Sequence, residues 1–203
     1  MRLILIRHGE TSWNKERRIQ GCRSNTELSQ RGREQAEKLA SRLRNQKLDA
    51  VYSSPLMRAI DTAQAIARTH GLKVSVDADL REIDAGELDG LSEQDLLSRY
   101  KDLWTEWRQG HAALHLPGGE SLEELQNRTW GAIERIMAGH PHGTVAAIGH
   151  LVANSVIICR VLGLDLHNMQ RLRQDPTGIT ILELGREGHS LLLFNDTCHL
   201  GTP

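Results

Sequence analysis

The 203-residue chain has few cysteines, no excess of charge of either sign and no long apolar run. Its three cysteines, Cys22, Cys159 and Cys198, lie far apart and form no CxxC pair. That excludes a disulfide framework and points to a reducing cytosol. Lys and Arg number 25 against 26 Asp and Glu, so the chain as a whole is not built to hold nucleic acid. The first apolar run, Leu3-Ile4-Leu5-Ile6, is too short for a signal-peptide core, which needs roughly 7–15 residues. The most apolar later stretch, Leu151 to Leu164, contains Asn154 and Arg160. It falls short of the roughly 20 residues of a membrane span. There is no internal repeat, no low-complexity linker, and no P-loop, HExxH motif or Asp-rich metal cluster.

What is present reads as one α/β domain over residues 1–203. Hydrophobic residues make 39% of the chain and 18 glycines add to them. The apolar share is then close to the roughly 45–50% of globular domains, which excludes whole-chain disorder. Leu3–Ile6 and Val145–Ile148 read as strands buried on both faces. Residues 9–28 read as a loop. Ser29 caps a predicted helix to about Asn45, with Ala36, Leu39, Ala40 and Leu43 at helical spacing. Ala50–Tyr52 is a short strand. Ser54-Pro55 predicts a cap with Pro at the first helical position, and that helix stops at Gly71. Val74–Val76 is another strand. Residues 84–142 read as a helical insertion, with helix starts at Ser92-x-x-Asp95 and Ser121-x-x-Glu124. A helix from about Leu151 to Leu162 stops at Gly163. Gly185-Arg186-Glu187-Gly188 then joins two apolar strands in a hairpin. The alternation predicts a three-layer α/β/α fold with a mostly parallel sheet, the insertion lying over the active site.

Ligands in such folds bind at the C-terminal ends of strands. There the first strand delivers Arg7-His8 and the fourth Gly149-His150. Imidazole can attack phosphorus and divide one hard displacement into two easier ones. Arg7, and Arg58 just after a strand end, offer guanidinium forks to phosphoryl oxygens. Glu82, after the third strand, is a candidate proton donor whose pKa nearby anionic oxygens would raise. Taken one by one, these residues are equally compatible with surface charges and hydrogen-bonded structural histidines, the reading given to His70, His140, His142, His167 and His189. His111 and His115 have the spacing of zinc ligands on a helix. With no third ligand and Pro117 close by, they read as an exposed loop.

Arg7-His8-Gly9-Glu10-Thr11-x-Trp13-Asn14 resembles the signature of the histidine phosphatase superfamily, which includes the phosphoglycerate mutases. The resemblance continues in order through Gln20-Gly21, Leu28-Ser29-x-x-Gly32, Tyr52-Ser53-Ser54-Pro55-x-x-Arg58 and Leu80-Arg81-Glu82-Ile83. It then takes in Gly86-Glu87-x-x-Gly90, Pro117-Gly118-Gly119-Glu120-Ser121 and Gly149-His150. It implies His8 as the phosphorylated nucleophile and Arg7, Arg58 and His150 as the phosphate pocket. Glu82 would be the general acid and later the base for water. Asn14, Gln20 and Gly21 would line the substrate side, and no metal or cofactor would be needed. The PGGES stretch is similar to the small phosphatase branch, such as the broad-specificity and alpha-ribazole phosphatases. Asn195-Asp196-Thr197-Cys198-His199-Leu200 resembles the metal-independent phosphoserine phosphatases of the superfamily, with His199 as a substrate-side candidate. Two departures stand out. Ala85 occupies the place of a histidine in those phosphoserine phosphatases, and Leu151 that of a glycine found in most relatives.

The resulting expectation is a cytoplasmic phosphomonoester hydrolase acting on small phosphorylated metabolites through a phosphohistidine. Its rivals are a phosphoglycerate mutase and a phospho-ligand binding protein without turnover. The 68 positions from Glu82 to His150 are short for a mutase insertion, and the five filled catalytic positions favour an enzyme. No nucleic acid or membrane partner is expected. The apolar C-terminal hairpin is an edge that could pair two copies into a homodimer.

Overall fold

The computed structural model describes residues 1–201. Six strands, β1 (Arg2–Arg7), β2 (Ala50–Ser53), β3 (Val74–Val76), β4 (Thr144–Gly149), β5 (Ile179–Gly185) and β6 (Gly188–Asp196), form one sheet in the order β3-β2-β4-β1-β5-β6. The first four are mutually parallel, and the β5–β6 hairpin adds antiparallel to β1.

The continuous apolar runs now have a reason. Side chains alternate between faces of a strand. Leu3 and Leu5 of β1 and Val145 and Ala147 of β4 point to a core shared with helices α6 (Leu122–Gly139) and α7 (Leu151–Leu162). Ile4, Ile6, Ala146 and Ile148 point the other way, to α2 (Gln30–Leu43) and α3 (Met57–His70). A strand that serves two cores has no polar face to show. The three-layer expectation therefore holds. Trp130, on α6, belongs to the sheet-facing core although it falls within residues 84–142.

Local signals place most boundaries. Ser29 accepts the N–H of Gly32 at the start of α2, and Gly71 and Gly163 end α3 and α7 with φ of 64° and 63°. Within the insertion, Ser92 caps α4 (Glu93–Arg99), which runs into α5 (Lys101–Arg108), and Ser121 with Glu124 closes a full capping box on α6.

Two expectations need correction. Residues 9–28 contain a one-turn helix, α1 (Ser12–Lys15), held by a capping box between Thr11 and Asn14. It buries no residue, so it left no apolar periodicity in the sequence. Pro55 does not open α3, which begins at Met57 after Leu56. The hydroxyl of Ser54 is needed elsewhere.

Candidate active site

The register of the sheet builds the site. Arg7 of β1 lies opposite Gly149 of β4, and Ser53 of β2 opposite Ile148. The next residues, His8, His150 and Ser54, therefore leave the sheet side by side. The rings of His8 and His150 lie 5.1 Å apart, and both residues are buried.

Hydrogen bonding assigns the tautomers. Nδ1 of His8 lies 2.7 Å from the carbonyl oxygen of Gly9. A carbonyl only accepts, so Nδ1 carries the proton and Nε2 keeps its lone pair. Burial, together with the cationic Arg58 and Arg7, holds the His8 pKa well below the usual imidazole value. His8 is thus neutral at pH 7 and lines the cleft. For His150, Nε2 lies 2.8 Å from the Ser54 hydroxyl, which also accepts the N–H of Leu56. Ser54 can then donate its own proton to Nε2, which leaves the His150 proton on Nδ1. Burial and the same cations keep His150 neutral too.

Arg58, on the first turn of α3, is fully buried. It donates to the carbonyls of Ser24 (2.7 Å) and Gly21 (3.0 Å). Burial pushes its pKa down to about 10, so it remains a cation. Arg7 donates to the Gln174 carbonyl at 2.7 Å. Three nitrogens around His8 are buried without a partner among the described residues: Nε of Arg7, Nε of Arg58 and Nδ1 of His150. Buried donors are seldom left unpaired. Two guanidinium N–H groups and one imidazole N–H beside a neutral histidine are donors of the kind that an oxyanion accepts from; Arg7 and His8 line the cleft, whereas Arg58 and His150 are not among its lining residues.

Glu82 follows the 3-10 turn at Ala78–Leu80. Its Oε1 accepts the N–H groups of Ile83 (2.9 Å) and Ala153 (3.0 Å), and its Oε2 that of Val152 (3.1 Å). The carboxyl thus caps the start of α7, where the helix dipole favours negative charge. Burial nevertheless outweighs these bonds and raises the pKa. The cause differs from the one expected, since the shift is present before any phosphate binds. Oε2, with one N–H partner, has the room to carry a proton.

The remaining candidates divide. Asn14, Gln20 and Gly21 line the cleft. Asn14 and Gln20 bond to each other and to Thr11. Gly21 donates its N–H to Asp89 and gives its carbonyl to Arg58. His199 lies outside the lining. It sits in a 3-10 turn against α2, beside Lys38 and Arg42, with Nε2 3.1 Å from the Thr177 hydroxyl. The tail packs on α2 rather than over the cleft. Leu151 takes an ordinary place as the first residue of α7, its backbone undistorted and its side chain on the cleft wall. His111 and His115 are exposed, and His115 pairs with Glu124 at 3.0 Å. Among the described residues no three side chains are grouped as metal ligands.

Sequence reasoning missed Ser54, Gln174 and Arg128. Arg128 of α6 donates to the carbonyls of Asp79, Arg81 and Glu82 and pairs with Glu120. Glu120 in turn accepts the N–H of Asp84. Gly86, at φ 55°, packs on the Pro117–Gly119 turn, where a Cβ would lie 2.0 Å from the Pro117 oxygen. The two turns interlock and set the loop that carries Glu82. Gln174 ties Ser155 of α7 to Arg7.

A family model, histidine phosphatase superfamily (branch 1), matches residues 3–197. The chain belongs to that family. Phosphoserine phosphatase 1 of Hydrogenobacter thermophilus is 34% identical over 201 residues, 99% of this chain and 95% of the relative. The solved structure of Bacillus stearothermophilus YhfR superposes with a TM-score of 0.93 at 28% identity, over 98% of each chain. A phosphoserine phosphatase variant from Entamoeba histolytica, in complex with phosphoserine, gives 0.88 at 28% identity, again over 98% of each. The family resemblance, the fold and the phosphatase reading all stand. Among the described residues no helix is long and apolar enough to cross a membrane.

Proposed function

We propose that this chain hydrolyses phosphomonoesters of small metabolites by way of a phosphohistidine on His8. The reading rests on one observation: a neutral His8 with a free Nε2 lies among three buried, unpartnered N–H groups. Nε2 attacks phosphorus as the bond to the ester oxygen breaks. Glu82 gives its proton to the leaving alkoxide. Arg7, Arg58 and His150 hold the equatorial oxygens, whose charge the guanidinium groups balance. The resulting Glu82 carboxylate then takes a proton from water as that water attacks the phosphohistidine. The P–N bond breaks, inorganic phosphate leaves, and both residues return to their starting protonation.

Two further readings accompany it. A cytoplasmic setting suits three cysteines that remain thiols. Pairing of two copies suits β6, an edge strand whose Leu192 is half exposed.

The test is phosphate release from p-nitrophenyl phosphate in excess EDTA and, in a separate assay without EDTA, in the presence of vanadate. The expected result is full activity in EDTA and strong inhibition by vanadate, which mimics the transferring phosphoryl group. Activity lost in EDTA and restored by Mg²⁺ or Zn²⁺ would overturn the mechanism.

A further inference from the structure

The cleft is much larger than its reactive end. It encloses about 720 Å³, within the range that holds drug-sized ligands. Arg7, His8 and Glu82 take up one part. The walls beyond them are mixed, with Leu88, Trp104, Trp107, Leu116, Leu151 and Met169 making an apolar stretch interrupted by Arg18, Arg108 and Arg173. Trp104 and Trp107 stack face to face at 4.9 Å and 9°. Leu151 leaves 37% of its surface exposed, one of few large apolar residues to do so, and that surface borders the cleft.

Trp107 carries the second observation. It is only 5% exposed, yet its indole N–H is buried with no partner among the described residues. Buried indoles ordinarily find an acceptor, as Trp130 does on Glu134 at 2.8 Å. Trp107 is itself one of the residues that line the cleft.

The charges lining the cleft disfavour an amino-acid substrate. Two carboxylates line it, Glu82 and Asp175. Glu82 already takes three backbone N–H groups, and Asp175 holds Asn195 and Arg173. Neither is free for an α-ammonium group. At the rim, Arg18 is bound to Glu16 and the Gly90 carbonyl, and Arg108 to Gln170.

We propose that the cleft selects phosphomonoesters whose leaving group is a bulky, largely apolar body bearing a hydrogen-bond acceptor, which Trp107 reads through its indole N–H. This rests on the phosphatase reading above and narrows it to a substrate class. The phosphate is anchored at His8, and the apolar body extends along the tryptophan pair and Leu151.

The experiment compares kcat/KM for ethyl phosphate, O-phosphoserine, 2-(1-naphthyl)ethyl phosphate and the isomeric 2-(quinolyl)ethyl phosphates. All have alkyl leaving oxygens, so differences report binding rather than leaving-group chemistry. Burying the naphthyl group should raise kcat/KM over ethyl phosphate and O-phosphoserine by on the order of 10²-fold. The best quinolyl isomer should exceed the naphthyl ester by roughly tenfold. Trp107→Phe should remove that margin while keeping a naphthyl preference. Leu151→Ala, at a half-exposed position that does not threaten folding, should shrink the naphthyl-to-ethyl ratio several-fold. Equal or better turnover of O-phosphoserine would overturn the proposal, as would a ratio untouched by Leu151→Ala. If no ester at all, p-nitrophenyl phosphate included, releases phosphate, the phosphatase reading fails and this one with it.

Discussion

His8, His150 and Glu82 are buried together, and their titrations act in opposite directions. Both histidines have pKa values held below the usual range. The unfolded chain takes up their protons below pH about 6.5, whereas the folded chain refuses them. Stability should therefore fall as pH drops from there toward the folded values. Glu82, with its raised pKa, keeps its proton when folded at pH values where the unfolded chain has lost it, and so offsets one of the two. Each group contributes a slope of about 1 kcal/mol per pH unit. Urea melts of wild type and His8→Gln between pH 5 and 7 test the sign. The variant should show the shallower dependence, and an unchanged slope would mean that His8 titrates normally.

On the proposed mechanism the same groups set the reaction's pH profile. His8 must be neutral and Glu82 protonated, so kcat/KM for alkyl phosphates should form a bell with its maximum on the acid side of neutrality. Glu82→Gln removes the proton and with it the alkaline limb. An alkoxide needs that proton, whereas a nitrophenolate hardly does. Burst-phase phosphorylation of the variant should slow by roughly 10²–10⁴ with alkyl phosphates and far less with p-nitrophenyl phosphate. Equal losses would reduce Glu82 to a phosphate-positioning role.

At the scale of elements, the site is a consequence of sheet order. The strands that deliver His8 and His150 were legible, since an apolar run ending in Arg-His or Gly-His marks a buried strand and its reactive end. Their adjacency was not. It depends on β4 inserting between β1 and β2, which no local pattern encodes. Ser54-Pro55 read as a helix cap because the sequence does not show that the Ser54 hydroxyl faces His150. His199 was misplaced because a tail's direction depends on what it packs against, here α2. Arg128 had no motif around it, and its importance lies in three carbonyls brought together by folding.

Arg128 also yields a test at this scale. It does not touch the cleft but holds the loop that aims Glu82. Arg128→Lys keeps a cation that cannot span three carbonyls and Glu120. A displacement of the carboxyl should lower kcat on alkyl phosphates by roughly 10–10²-fold. KM should change little, and p-nitrophenyl phosphate should be largely spared. A uniform loss on both substrates, matching a fall in folded protein, would indicate a structural role alone.

For the molecule as a whole, a two-sided core fixes the central strands, their ends carry His8 and His150, and residues of the 84–142 segment, Trp104, Trp107 and Leu116 among them, wall the cleft. Every part of this account passes through a covalent bond between phosphorus and His8. Quenching steady-state turnover of p-nitrophenyl phosphate in base, where a phosphoramidate survives, and mapping the product by mass spectrometry measures that bond directly. The account predicts one phosphate, on His8, lost on acid treatment and missing from an inactive His8→Ala variant. Phosphate on another residue, or near wild-type turnover by His8→Ala, would contradict it.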